Sequence, residues 1–291
     1  MRRVGIIFLM VLLMIPWGAV QAREEGGFIV EEDVDEGTPN LRGQARALMQ
    51  MMSPREKICQ LFMVTPEQLT GGSRVTAWPE ENVLEKYPVG GIILYGQNIA
   101  SEKQLKALTE GIQAQADKAG VYSLLIAVDE EGGSVSRVAN KLGYPLAPSP
   151  QALGQEGRAE EAYAAGYYIA SYLAPLGINL SLAPDADVLV AEGDEIGSRS
   201  YGADADTVSE MAQAMARGLR EGGVIPCYKH FPGHGAVSGN THNGSASTRR
   251  TLDEMRLTEL IPFMDGVERE IEMIMTSHLI AKGLEAICCR R

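Results

Sequence analysis

The sequence predicts an α/β protein of the (β/α)8 TIM-type barrel class, and three observations predict it. Six short apolar runs alternate with helical segments, which is typical of parallel strands buried on both faces. A polar, glycine-rich or charged loop follows each run, as at the C-terminal rim of a barrel. No GxGxxG motif follows the first run, which weighs against a dinucleotide-binding sheet. The runs lie at residues 61–64, 90–95, 124–128, 178–183, 224–228 and 271–275.

Helix-start and helix-stop signals separate these runs. A serine or threonine with Glu or Gln three residues later predicts helix starts at Ser53, Ser101 and Thr251. Two further helices are predicted to end before Pro175 and before Gly222. The pattern amounts to about six β/α units, so we expect the barrel to be incomplete, with its seventh and eighth strands missing.

Composition limits the possible partners and the redox chemistry. The 291 residues are 45% hydrophobic and 22% charged, as in a large globular domain. The net charge of −12 argues against nucleic acid or an anionic membrane as the main partner. The four cysteines show no zinc-site spacing and no disulfide framework. We expect Cys59 and Cys227 to be small buried residues, and Cys288 and Cys289 to lie in the tail.

Residues 1–22 are predicted to be a signal peptide. Arg2 and Arg3 precede an apolar run at residues 6–15 that is short for a membrane span, and small residues end at Ala22. We therefore expect a secreted or cell-envelope protein with no stable membrane span after cleavage, although an uncleaved anchor is the alternative. Residues 23–42 are predicted to be a linker and residues 43–291 the barrel domain.

The stretch KHFPGHG at residues 229–235 is the most informative motif. It places a cation and two imidazoles directly after the fifth apolar run. Gly233 and Gly235 allow a sharp turn and a close approach to a ligand. His230, His234 and the nearby His242 are three of the four histidines in the chain. The alternative is a basic surface turn.

Charged loops after other runs would face the same rim. Residues 129–131 are three acids that follow the third run, with Arg137 beyond them. Asp185 and Asp187 follow the fourth run, and Arg199 comes later in the same loop. Carboxylates accept hydrogen bonds from vicinal hydroxyls, while Arg and Lys donate to ring or amide oxygens. Such a rim would suit a neutral, polyhydroxylated ligand.

Two of these stretches, IAVDEEGG at residues 126–133 and KHFPGHG, resemble the signature blocks of glycoside hydrolase family 3. The likeness is to its bacterial β-N-acetylglucosaminidase branch and covers roughly residues 43–280. It implies a (β/α)8 barrel that removes terminal GlcNAc from β-linked glycans, such as peptidoglycan fragments or chitooligosaccharides, with retention of configuration. Three further stretches also resemble that branch: residues 52–62, 90–95 and 197–202.

The resemblance also implies roles for individual residues. Asp129 would accept hydrogen bonds from sugar hydroxyls, and His242 would be the general acid/base. Most retaining glycosidases use a second carboxylic acid instead. No cofactor or metal is implied. Four cationic or imidazole side chains would hold the N-acetylhexosamine: Arg137, Arg199, Lys229 and His230.

The chain departs from the family pattern at two points. Asn240 stands where an Asp is expected two residues before His242, and an amide cannot stabilise an imidazolium as a carboxylate does. By analogy with the serine-protease triad, such a loss can cost roughly four orders of magnitude in turnover. The family's nucleophile is an Asp in a Ser-Asp-Asp-Leu-type motif after strand seven, and this sequence has no counterpart. We therefore expect the chain as given to be truncated, inactive and poorly folded.

Three alternatives stay open from the sequence. One is a noncatalytic sugar-binding remnant of the family, and another is a β-glucosidase-type family 3 hydrolase. The third is a metal-dependent hydrolase whose zinc ligands would be Asp129 with the three histidines after strand five. A His-x3-His zinc pair needs a helix, and Pro232 and Gly233 disfavour one there.

Overall fold

The computed structural model describes residues 41–122, 124–190, 196–237 and 246–283. The predicted signal peptide, Asn240, His242 and the Cys288–Cys289 pair fall outside these ranges. Within them, no helix has the length and apolar character needed to cross a membrane.

Helices precede or follow each of the predicted strands. The caps predicted at Ser53, Ser101 and Thr251 are present, since each side chain accepts a hydrogen bond from the backbone N–H three residues later. The first helix begins at Leu41, just before the predicted domain boundary. In the described residues the α-helices are α1 (Leu41–Met51), α2 (Pro54–Cys59), α3 (Pro66–Thr70), α4 (Val83–Lys86), α5 (Glu102–Lys118), α6 (Arg137–Leu142), α7 (Pro150–Glu156), α8 (Ala159–Leu173), α9 (Ala205–Glu221), α10 (Leu252–Arg256) and α11 (Ile261–Glu268).

The strands include one segment within each of the six apolar runs. Short extra strands build the loops that follow the third, fifth and sixth runs. The strands of the described residues are β1 (Met63–Val64), β2 (Gly91–Leu94), β3 (Leu125–Val128), β4 (Glu130–Gly132), β5 (Val135–Ser136), β6 (Leu180–Ser181), β7 (Ile225–Pro226), β8 (Tyr228–Phe231), β9 (Ala246–Thr248), β10 (Ile274–Thr276) and β11 (Leu279–Ala281).

The main sheet is parallel and follows chain order. Its strands run β1-β2-β3-β6-β7, with Ile92 paired to both Val64 and Ile126. Strand β8 continues the fifth strand beyond Cys227 and pairs in parallel with β10. Six parallel strands in sequence order confirm the predicted α/β barrel type. Among the described strands, β1 pairs only with β2 and β10 only with β8, so the barrel is not closed.

Alternate residues of the strands enter two different cores. Ile92 and Leu94 belong to the large apolar cluster between the sheet and its helices, whereas Ile93 points into a second cluster inside the curved sheet. Since successive side chains of a strand face opposite sides, both faces are buried. Polar side chains therefore gather at the strand ends. The inner cluster also contains Ala127, Leu180, Leu182, Cys227 and Met273.

Helices α8 and α9 hold the outer layer together through two glycines. A Cβ added at Gly166 would lie 2.2 Å from the carbonyl oxygen of Met215, and one at Gly218 would lie 2.2 Å from that of Tyr163. The two helix backbones are therefore too close for any side chain at these positions. This contact fixes the layer that packs against β4 and β7.

Two sequence predictions need correction. Lys229 and His230 lie in β8 rather than in a loop, because neighbouring carboxylates satisfy their polar groups and allow the strand to continue. Cys59 is only partly buried, since it ends the short helix α2, which has no buried residue. Cys227 is buried, as predicted.

Candidate active site

Lys229 is the centre of the polar cluster at the strand ends. It is 1% exposed, and its Nζ lies 2.9 Å from Oδ1 of Asp129 and also contacts Oε1 of Glu131. Burial by itself would lower the pKa of Lys229, but the two carboxylates outweigh burial and raise it. The ammonium therefore stays charged, and its desolvation is offset by two ion pairs.

Glu131 joins Lys229 to a second cation. Arg199, at the end of the 3-10 turn Gly197–Arg199, donates from Nε and Nη2 to the two carboxylate oxygens of Glu131, both at 2.8 Å. This bidentate geometry is among the strongest that charged side chains form. Burial would raise the pKa of Glu131, but Lys229 and Arg199 together hold it below the usual range. Glu131 is thus an ionised bridge between two loops.

His230 is oriented by Asp187. Its Nδ1 lies 2.7 Å from Oδ2 of Asp187, whose Oδ1 accepts the backbone N–H groups of His230 and His234 at 3.2 and 2.6 Å. Burial lowers the pKa of His230 to about 4 and raises that of Asp187 to about 6. At neutral pH the ring is therefore neutral with its proton on Nδ1. Its Nε2, 3.4 Å from Nη2 of Arg199, is an acceptor.

Asp129 and Arg137 lie at the edge of the cluster. Asp129 pairs with Lys229 but keeps 19% of its side chain exposed. Arg137 is exposed at the start of α6 and donates its backbone N–H to the carbonyl of Asp129 at 3.2 Å. The ring of Tyr95 is close to both charges: burial and Asp129 raise its pKa, while Arg137 and Lys229 oppose that rise.

Asp185, Asp187 and His230 place possible ligand atoms within 4.8 Å of one another. The spacing would suit a metal ion, but the donor chemistry does not. Asp187 already accepts three hydrogen bonds, and the guanidinium of Arg199 lies beside Asp185 at 3.5 Å. We therefore assign no metal to this group.

The structure brings together four of the residues singled out from the sequence: Asp129, Arg199, Lys229 and His230. Arg137 lies at the margin, outside the ion pairs of the described residues. The proposed acid/base His242 and its neighbour Asn240 fall beyond those residues.

Sequence reasoning missed the roles of two neighbouring acids. Glu131 is the bridge of the cluster, whereas Glu130 accepts backbone N–H groups of Val138 at 2.7 Å and Ala139 at 2.9 Å and the hydroxyl of Tyr172 at 2.8 Å. Glu130 thereby caps α6 and is structural. One sequence feature could have indicated these roles. Three consecutive acids follow an apolar strand, and two cations later in the chain, Lys229 and Arg199, are available to neutralise them.

The fold and this cluster define a parallel barrel domain with a polar site at the C-terminal ends of its strands. Residues 53–289 match the model of the glycosyl hydrolase family 3 N-terminal domain. The chain belongs to this family.

Curated relatives are about one third identical to it over the aligned residues. The chain is 36% identical over 235 residues to the beta-hexosaminidase LpqI of Mycobacterium tuberculosis, which covers 80% of this chain and 57% of the relative. It is 34% identical over 204 residues to a beta-hexosaminidase of Chromobacterium violaceum, which covers 68% and 56%. The chain thus spans little more than half the length of the curated relatives it matches.

Solved structures share the fold. A family 3 β-N-acetylglucosaminidase from Paenibacillus superposes with a TM-score of 0.74 at 31% identity, covering 80% of this chain and 43% of that one. NagZ from Neisseria gonorrhoeae, in complex with N-trifluoroacetyl-D-glucosamine, gives a TM-score of 0.67 at 31% identity, covering 77% and 64%.

Proposed function

We propose that this chain is the sugar-binding part of a retaining β-N-acetylhexosaminidase that removes terminal GlcNAc from β-linked glycans. The cluster built on Lys229, Glu131 and Arg199 carries the proposal, because it places charged donors and acceptors at the strand ends. The relatives named beta-hexosaminidase support this reading over the β-glucosidase alternative.

The cluster has free hydrogen-bonding capacity suited to a sugar. The partly exposed carboxylate of Asp129 can accept from vicinal hydroxyls. Positive and negative charges are interspersed in the cluster, so it suits a neutral ligand. The N-acylated glucosamine bound to the gonococcal relative has this chemistry.

Hydrolysis needs more than these residues supply. A retaining enzyme needs a carboxylate nucleophile below the anomeric carbon as well as an acid/base group. Asp129, Glu131 and Asp187 are already ion-paired or hydrogen-bonded, so we assign none of them as nucleophile. We assign the acid/base role to His242, with Asn240 able to orient its ring. We expect the described residues to bind sugar and to need a carboxylate from a further segment for turnover.

The proposed setting is the cell envelope or the exterior, reached through the signal peptide at residues 1–22. Peptidoglycan fragments or chitooligosaccharides would be the substrates, and a role in cell-wall turnover follows from the first of these. The net charge of −12 makes nucleic acid an unsuitable partner. No cofactor is proposed.

Titration calorimetry with N-acetylglucosamine and glucose tests the sugar-binding role on this chain. We expect measurable binding of N-acetylglucosamine, weaker binding of glucose, and at least a tenfold loss of affinity in Asp129→Asn. Asp253→Asn is the matched control, because the Asp253 carboxylate is 93% exposed and, among the described residues, pairs with the exposed Arg256 alone. Equal binding of both sugars, or unchanged affinity in Asp129→Asn, would contradict the proposal.

A further inference from the structure

Asp185 has a buried carboxyl oxygen that lacks a hydrogen-bond partner. The residue is 0% exposed, and its Oδ1 accepts the backbone N–H of Asp187 at 3.0 Å. Its Oδ2 has no hydrogen bond in the described part of the chain. An ionised carboxylate oxygen left this way in a buried site is strongly unfavourable.

The neighbours of Oδ2 do not supply a donor. Nη2 of Arg199 is 3.5 Å away but is directed at Glu131, and Nδ1 of His230 is 3.9 Å away and donates to Asp187. Among the described residues, Glu131 raises the pKa of Asp185 and His234 lowers that of Asp187. Asp185 in turn raises the pKa of Tyr201, and its backbone is bridged to that of Lys229. The carboxylate of Asp187 lies beside Asp185, and a side-chain hydrogen bond between the two acts to lower the pKa of Asp187. Asp187 is thus the available acceptor for a proton carried by Oδ2.

We propose that Asp185 is a neutral carboxylic acid whose hydroxyl donates a hydrogen bond to the carboxylate of Asp187. Asp187 is the ionised partner because three N–H groups already donate to it. Burial, and then the charge of Asp187, raise the pKa of Asp185 well above its usual range, in agreement with this assignment.

Asp185 is therefore a positioning residue for His230. With the shared proton in place, Asp187 keeps His230 as the Nδ1–H tautomer and leaves Nε2 as an acceptor beside Arg199. Loss of the proton would leave two negatively charged carboxylates that repel each other next to that ring. The assignment of the proton to Asp185 does not depend on any ligand. That an ordered His230 helps to bind sugar rests on the proposed function.

Asp185→Asn keeps the shape of the side chain but no longer requires a bound proton. The amide NH2 can donate to Asp187 at every pH, whereas the carboxylic acid must retain a proton. A raised folded-state pKa gives stability that is fully present near pH 4 and is lost as pH rises toward that pKa. Between pH 5 and 8, the unfolding equilibrium constant of the wild type should rise relative to that of Asp185→Asn by up to about tenfold per pH unit. Urea unfolding followed by circular dichroism measures this ratio, and a ratio constant with pH overturns the proposal.

Asp187→Ala is the matched control in the same pair. It removes the acceptor of the His230 ring, so it should lose stability at every pH and lose the Nδ1 proton signal in nitrogen-edited NMR spectra. Asp185→Asn should keep that signal. Loss of the signal in both variants would overturn the positioning role.

Infrared spectroscopy detects the proton without requiring a folding comparison. At pH 7 the wild type should show the C=O stretch of a protonated carboxyl that is absent in Asp185→Asn, and its absence from the wild type overturns the proposal. Stabilisation by added Zn²⁺ in the wild type but not in Asp185→Asn would also overturn it, because Oδ2 would then be a metal ligand.

Discussion

Lys229 shows how a single buried charge can organise a site. Its ammonium is nearly inaccessible, and the carboxylates of Asp129 and Glu131 approach it from the loop after β3. Removing one member of a buried ion pair leaves the other charge uncompensated. The same contacts that hold Lys229 in place therefore contribute to folding as well as to ligand binding.

Lys229→Met should lower the free energy of unfolding by about 3 kcal/mol, because Glu131 and Asp129 lose a buried partner. Urea unfolding measures the change. Lys106→Met is the control, since Lys106 is 58% exposed and its ammonium lies as far as 4.0 Å from the carboxylate of the exposed Glu110. The control should stay within about 0.5 kcal/mol of the wild type. Equal effects of the two substitutions would show that the Lys229 ion pairs contribute nothing to folding.

The ring of His230 should remain neutral well below the usual range. Burial lowers its folded pKa to about 4 from an ordinary value of about 6.5. The stability that this shift contributes is therefore present above pH 6.5 and is lost as pH falls toward 4. Nitrogen-edited NMR spectra should show the two ring nitrogens of a neutral imidazole for His230 from pH 8 to 5, with only a smaller shift change as Asp187 gains its proton at about pH 6. Imidazolium nitrogen shifts that appear with a midpoint near 6.5 would contradict the buried, Asp187-bound geometry.

Helices α8 and α9 pack backbone to backbone in the outer layer, and their contact depends on glycine. A residue with high helix propensity would normally strengthen a helix at such positions, since Ala is favoured over Gly by roughly 1 kcal/mol. Here the backbone carbonyl of Met215 lies where the new methyl group would be. Packing therefore outweighs propensity at Gly166.

Gly166→Ala should destabilise the protein by about 1–3 kcal/mol, since the two helices must separate to accept the methyl group. Ser171→Ala in the same helix is the control, because Ser171 is exposed and its hydroxyl donates to the carbonyl of Tyr168 within its own helix. Thermal unfolding compares the two. A wild-type melting temperature for Gly166→Ala would mean that the helices are not this close.

The strands and helix caps could be predicted from the sequence because they depend on local patterns. The six apolar runs and the Ser53 and Thr251 capping boxes are of this kind. The continuation of β8 through Lys229 could not be predicted. It depends on carboxylates roughly a hundred positions earlier in the chain, which only the folded structure brings alongside.

The location of the candidate site could be predicted from the sequence, but the ion pairs within it could not. Charged residues after successive runs indicated a common rim, and Asp129, Arg199, Lys229 and His230 do meet there. Which acid neutralises which cation depends on three-dimensional distances. The sequence therefore pointed to Asp129 without revealing that Glu131 is the bridge.

At the scale of the whole molecule, the sheet has two open edges among the described strands. β1 and β10 each pair on one side only. Unpaired strand edges present backbone donors and acceptors to other chains. The described residues nevertheless form two apolar clusters, so the open edges, rather than an absent core, are the main liability.

We expect the chain to self-associate as its concentration rises, through these edges. Sedimentation velocity over a hundredfold concentration range measures the association. A chimera in which residues 1–283 continue into the C-terminal part of LpqI should associate less, because added strands would cover the edges. A chain that stays monomeric throughout would contradict the open-edge account.

We propose that the cluster around Lys229 binds the terminal N-acetylhexosamine of a β-hexosaminidase substrate. Turnover by the same chimera on nitrophenyl β-N-acetylglucosaminide and nitrophenyl β-glucoside measures this preference. We expect preferential release from the N-acetylglucosaminide with retention of configuration, and loss of that activity in Asp129→Asn. A folded chimera that prefers the β-glucoside, or that keeps full activity in Asp129→Asn, would contradict it.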